Sequence, residues 1–194
     1  MKKLTTIASL VALSLASFAS TAAESPNWRF IEGSYVSAEV DDSDIDYEPD
    51  GFGIAGSTLI GENVILGASY SSVSDDIYGI DVDLMQGEAH LGYRYGATKT
   101  TDIFGKVSYQ YIELEADSES IDDSGYGLHL GVRSMLTPSF ELGAEIAHID
   151  IDDETDTILS ASGYYHINES FSIGLGYAVS DEIDTMSASA RLSF

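Results

Sequence analysis

The chain of 194 residues carries 33 acidic against 8 basic residues, a formal charge of −25, and no cysteine. That balance argues against nucleic-acid binding, which needs a basic face for phosphate, and the absence of thiols removes disulfide frameworks, thiolate metal sites and cysteine nucleophiles together. Disorder is also disfavoured, because acidic disordered chains lack the Tyr, Phe, Ile and Leu that pull the mean hydropathy here to +0.01.

Lys2 and Lys3 precede an apolar run from Ile7 to Phe18, followed by the small residues Ser20, Thr21, Ala22 and Ala23. This is the layout of a secretory signal peptide. The run is shorter than the ~20 apolar residues a spanning helix needs and is broken by serines, so residues 1–23 are read as a cleaved signal, cut after Ala22 or Ala23. Residues 24–194 then form one domain.

From Trp28 onward the sequence repeats a single theme of alternating apolar and small or polar side chains, which is the period of a β-strand. Ten such segments begin near Asn27, Asp50, Asn63, Asp83, Thr101, Ser124, Pro138, Asp156, Ser170 and Asp184. The fourth sets Met85, Ala89, Leu91, Tyr93 and Tyr95 against Gln86, Glu88, His90 and Arg94. In the sixth, Tyr126, Leu128, Leu130 and Val132 oppose His129 and Arg133, and in the ninth, Phe171, Ile173, Leu175, Tyr177 and Val179 oppose Gly, Ala and Ser. The same alternation would suit a soluble sandwich with its apolar face inward.

Three further features favour a barrel that faces lipid. Tight connections at 60–63, 96–101, 136–139 and 167–170 alternate with acidic ones read as longer external loops, the asymmetry of a spanning barrel. Aromatic residues divide into two belts: Tyr93, Tyr95, Phe140, Tyr165, Phe171 and Phe194 lie near the tight-turn end, and Tyr35, Phe52, Tyr70, Tyr109, Tyr111, Tyr126 and Tyr177 near the other. Beside the three, charge is sorted by end as well. The five outer segments 39–50, 75–83, 113–123, 150–156 and 181–184 hold 25 of the 33 acids and no Lys or Arg, whereas Arg29, Arg94, Lys99, Lys106, Arg133 and Arg191 fall toward the tight turns.

The third feature is the chain end. Ala188-Ser189-Ala190-Arg191-Leu192-Ser193-Phe194 alternates down to a terminal Phe and resembles the C-terminal signal read by the outer-membrane assembly machinery. With the leader and the hairpin spacing, the mature chain resembles the small Gram-negative outer-membrane β-barrel families, such as the OmpA membrane domain, OmpX and porin-like proteins. The expected fold is all-β: a closed antiparallel up-and-down barrel of ten strands, with eight as the alternative, since those families commonly have eight. Outer-membrane lipid, lipopolysaccharide and, through Phe194, the assembly machinery are the partners this implies.

Strand parity turns Glu32, Glu88, His90, Arg94, Lys106, Gln110, His129, Arg133, Glu141, Glu145, His166 and Arg191 into the lumen, where charges must pair. Arg133 with Glu141, and Arg191 with Glu32, are the expected pairs. Small inward residues on strands two, three, nine and ten leave room for a narrow cation pathway. The expected role is structural or surface-interacting, or a porin-like channel, with no cofactor. Asp41, Asp42, Asp44 and Asp46 are candidates for diffuse divalent-cation binding, although they lack the glycine and terminal Glu of an EF-hand. The enzymatic alternative is an omptin-like protease, with His148, Asp150 and Asp152 at the rim, or a lipid deacylase. Against the first, His148 should face outward. Also against the first, the strands are expected to end close to the membrane; against the second, no Ser and His are expected to share a shielded locus.

Overall fold

The computed structural model describes residues 25–40, 48–77, 80–116, 119–152, 154–181 and 183–194. The strands are β1 (Phe30–Val40), β2 (Asp50–Ile60), β3 (Val64–Ile77), β4 (Ile80–Gly96), β5 (Thr101–Ala116), β6 (Glu119–Thr137), β7 (Phe140–Ile151), β8 (Glu154–His166), β9 (Phe171–Val179) and β10 (Ile183–Ser193). Each pairs antiparallel with its neighbours in sequence, and β1 closes on β10 from Phe30 opposite Ser193 to Val40 opposite Ile183. Closure leaves no open strand edge, which is what allows a sheet to sit in hydrocarbon.

The distribution of burial is inverted relative to a soluble protein. Leu175 is 70 % and Tyr126 71 % exposed, whereas Glu141 and Asp102 are each 1 % exposed. The alternation therefore points apolar side chains out and polar ones in, and the sandwich reading fails. Facing aromatics tie neighbouring strands on the outer wall: Tyr35 packs edge-on to Phe52 at 5.7 Å and Tyr109 to Tyr126 at 5.9 Å.

Four tight turns close one end. Gly61 sits at φ +68 in the β2–β3 turn, where any side chain would be strained. In the β8–β9 turn Asn168 Oδ1 accepts the backbone N–H groups of Ser170 and Phe171. A register shift between Met135 and Thr137 bends β6 into its turn.

The opposite end corrects two expectations. β4 starts at Ile80 and β6 at Glu119, earlier than the acidic composition suggested, so much of what reads as loop is paired strand. Asp83 lies opposite Glu115, and Glu113 opposite Asp122. β4, β5 and β6 run for 17, 16 and 19 residues, well beyond the ~9–11 that cross a bilayer. The strands thus continue far past the membrane. On β3 to β6 the inward parity carries Val73, Leu84, Leu114 and Ile121, with Asp123 also on the inner wall, while Asp83, Glu113, Glu115 and Asp122 take the outer side, so the β period persists.

Candidate functional site

The inward residues named from parity lie on the inner side of the barrel, where the structure groups them with a floor, a lower ion ring and a mid-barrel array. The floor was not foreseen. Residues Ser25–Arg29 precede β1, which begins at Phe30 and not near Asn27. Trp28, only 5 % exposed, folds under the barrel. Its Nε1 donates to Asp102 Oδ2 at 2.8 Å, its ring meets Phe104 edge-on at 5.1 Å, and the Arg133 guanidinium stacks 4.4 Å over it. Arg133 Nη2 donates to the Asn27 carbonyl, while Ser25 Oγ donates to Asp102 Oδ2 and accepts from Arg94 Nη1. With Ile65, Trp28 and Phe104 form a small buried apolar cluster inside the tight-turn end.

Above the floor, each basic group meets an acid. Arg94 Nη1 lies 2.8 Å from Asp102 Oδ2, Arg133 Nε 2.7 Å from Glu141 Oε1, and Arg191 Nε 2.7 Å from Glu32 Oε2. His166 joins through Glu141 Oε2 at 3.4 Å and through Ser172 Oγ at 2.9 Å. Phe30 and Tyr164 sandwich the Arg191 guanidinium at 4.0 and 3.7 Å, and the Tyr164 hydroxyl donates to Glu32. Delocalised guanidinium suits this role because its faces stack while its edge bonds carboxylate.

The mid-barrel array overturns one expectation outright, because a Ser and a His do share a shielded place. Ser108 Oγ is 2.8 Å from His129 Nε2, and His129 Nδ1 is 2.8 Å from Glu145 Oε1. Nδ1–H donating to Glu145 with Nε2 accepting from Ser108 satisfies all three groups. Lys106 Nζ holds the other Glu145 oxygen at 2.9 Å, and Gln110 Nε2 bridges Ser108 Oγ to Glu88 Oε2, which leaves Glu88 Oε1 to His90 Nδ1 at 2.7 Å. The bare Cα of Gly127 makes the Ser108–His129 contact possible, since a Cβ there would fall 2.4 Å from Ser108 Oγ and 2.7 Å from His129 Nε2. The three groups have the order of a Ser-His-acid triad. Ser108 and His129 are nonetheless 4 % and 3 % exposed and line neither lumen cavity, and Gln110 caps the hydroxyl. The array ties β4, β5, β6 and β7 together, and Ser108 Oγ is engaged by both His129 and Gln110.

The charged array fills the β4–β7 side, and a cavity of about 370 Å³ remains against Ala55, Ser57, Ser69, Gly176 and Ser187 on the opposite wall, with Trp28 at its base. It meets a larger outer vestibule at Ser69 and Glu88, which border both. Elsewhere, His148 is exposed on the outer wall with Nδ1 3.1 Å from Thr157 Oγ1. Asp41, Asp42, Asp44 and Asp46 lie outside the described residues, as does the leader, and among the described residues no group of three His, Asp or Glu is disposed to hold a metal. Parity alone placed Asp102 with Lys106, and Tyr164 with His166, on the inner face, and both were missed. The alternation that begins at Trp28 places it in the first strand, although Pro26, two residues before it, is suited to interrupting one.

The chain resembles solved barrels at low identity. The NanC porin is 9 % identical, matched over 86 % of this chain and 100 % of its own, with a TM-score of 0.54. The β domain of the Bordetella autotransporter BrkA is 12 % identical over 87 % and 100 %, at 0.50, and the attachment invasion locus protein Ail of Yersinia pestis 14 % over 87 % and 99 %, at 0.48. At these identities the likeness concerns the fold alone. No curated protein matches the chain. A family match described as outer membrane protein beta-barrel domain covers residues 6–178 and agrees with the closed ten-stranded sheet and its apolar outer wall; the chain belongs to that outer-membrane family.

Proposed function

We propose that this barrel works at the cell surface as a closed, non-conducting structural and interaction element, reached by export and removal of residues 1–23. The observation that carries this reading is the floor: Trp28 and its partners lie at the tight-turn end and border the cavity lined by the small residues of the lumen wall. In planar bilayers the full-length mature protein is expected to be silent at all moderate voltages. Stable small steps would replace this reading with the second one, a narrow cation pathway, which the contact between the two cavities at Ser69 and Glu88 supports.

The acidic outer end supplies the interaction. Facing acids such as Asp83 with Glu115 and Glu113 with Asp122 repel across the ladder, and carboxylate oxygens suit Ca²⁺ and Mg²⁺. Divalent ions bound diffusely here would relieve the repulsion and bridge to lipopolysaccharide phosphates. Millimolar Ca²⁺ is expected to raise the temperature at which the folded band converts on a heat-modifiability gel, and a chelator to reverse it. No heat in isothermal titration and no thermal shift would remove the ion bridge.

A further inference from the structure

Beyond the membrane the inner wall changes chemistry. The vestibule occupies about 790 Å³, with Ser69, Ser71, Gln86 and Gln110 low on its wall, a volume in the range that holds a small organic molecule. Around part of its wall, facing strands place one isoleucine opposite one acid: Ile112 opposite Asp123, Ile149 opposite Asp156, and Ile151 opposite Glu154. All six residues line the space, so apolar surface and carboxylate alternate round the same cup. Among the described residues no basic side chain lines it, and the outer segments of the sequence contain no Lys or Arg.

We propose that the vestibule is a binding site for a small hydrophobic cation, a compact apolar body carrying one ammonium group. A neutral apolar molecule would bury against the isoleucines but leave the carboxylates without a counter-charge. A small metal ion would meet the carboxylates and leave the apolar wall wet. An ammonium on an apolar body answers both, because its charge is met by wall carboxylates while its carbon surface leaves water. The site stands above the Trp28 floor and needs no conduction.

The test uses the folded mature protein in lipid nanodiscs, with empty nanodiscs as the partitioning control. Probes are 1-adamantylammonium, its neutral alcohol and its carboxylate, followed by isothermal titration and by chemical shifts of isoleucine methyls. Saturable binding of the ammonium is expected, with shifts at Ile112, Ile149 and Ile151, at least tenfold weaker binding of the alcohol and none of the carboxylate. The pair Asp123→Asn with Asp156→Asn should weaken the ammonium about tenfold and leave the alcohol unchanged, whereas Ile149→Asn should weaken both. Equal binding of ammonium and alcohol, binding untouched by these variants in a barrel that still shows the folded gel band, or no binding above empty nanodiscs would each overturn the proposal.

Discussion

Replacing Trp28 with Ala is expected to convert a silent barrel into one that shows discrete conductance steps in planar bilayers. The indole is the floor of the 370 Å³ cavity. Removing it vacates the space between Phe104 and Arg133 and leaves Arg94 and Ser25 to hold Asp102. Truncation of a buried Trp costs about 3–5 kcal/mol, so the same variant should unfold at lower denaturant. Trp28→Phe separates the two effects. A phenyl ring keeps the contact with Phe104 and the face under Arg133 but loses the Nε1–Asp102 bond, a loss of about 1.5–3 kcal/mol for a bond to a carboxylate. That variant is expected to remain silent and to be less destabilised than Trp28→Ala. If Trp28→Ala stays as silent as the wild type while losing stability, the floor lies elsewhere and Trp28 is only packing.

How much of this was legible in the sequence follows from which interactions are periodic. Strand number, closure and the inward set from Glu32 to Arg191 depend on alternation, and alternation is written residue by residue. The outer ends of β4 and β6 were misjudged because acid density there was taken for loop, although Leu84, Leu114 and Ile121 keep the two-residue period through the same stretch. Trp28 opens the alternating run, but its place under the barrel does not follow from that period. Its place depends on Asp102, Arg133 and Phe104, which are 74 or more residues distant in sequence for the one direct hydrogen bond and come together only when the barrel closes. The Ser108–His129–Glu145 array was missed for a related reason. Its members sit on three strands at diagonal positions, two residues off direct register, and a glycine, Gly127, opens the space between two of them. Facing pairs can be read from hairpin spacing; diagonal contacts through a missing side chain need the register itself.

The ion ring supplies the other large effect. Glu141 is 1 % exposed and serves Arg133 directly at 2.7 Å, with Arg191 Nη1 at 3.8 Å and His166 at 3.4 Å. Breaking a buried pair by removing one partner costs about 3–5 kcal/mol, because the remaining charge stays desolvated without compensation. Glu141→Ala is therefore expected to lower the urea midpoint of the folded barrel by that equivalent. Glu141→Gln keeps the volume and should lose nearly as much, which assigns the loss to charge and not to a cavity. Arg191 retains Glu32, so the group left most exposed to the loss is Arg133, and Arg133 also holds the Asn27 carbonyl and covers Trp28. Glu141→Ala should for that reason loosen the floor as well and show occasional conductance steps, a coupling that a purely local packing defect would not produce. The double replacement Arg133→Met with Glu141→Leu removes both charges, and it is expected to recover most of the lost stability while leaving the floor unlatched. Recovery of stability together with restored silence would mean that Trp28 holds the floor through Asp102 and Phe104 without Arg133. A Gln variant as stable as the wild type would mean that the carboxylate charge of Glu141 does not hold the ring.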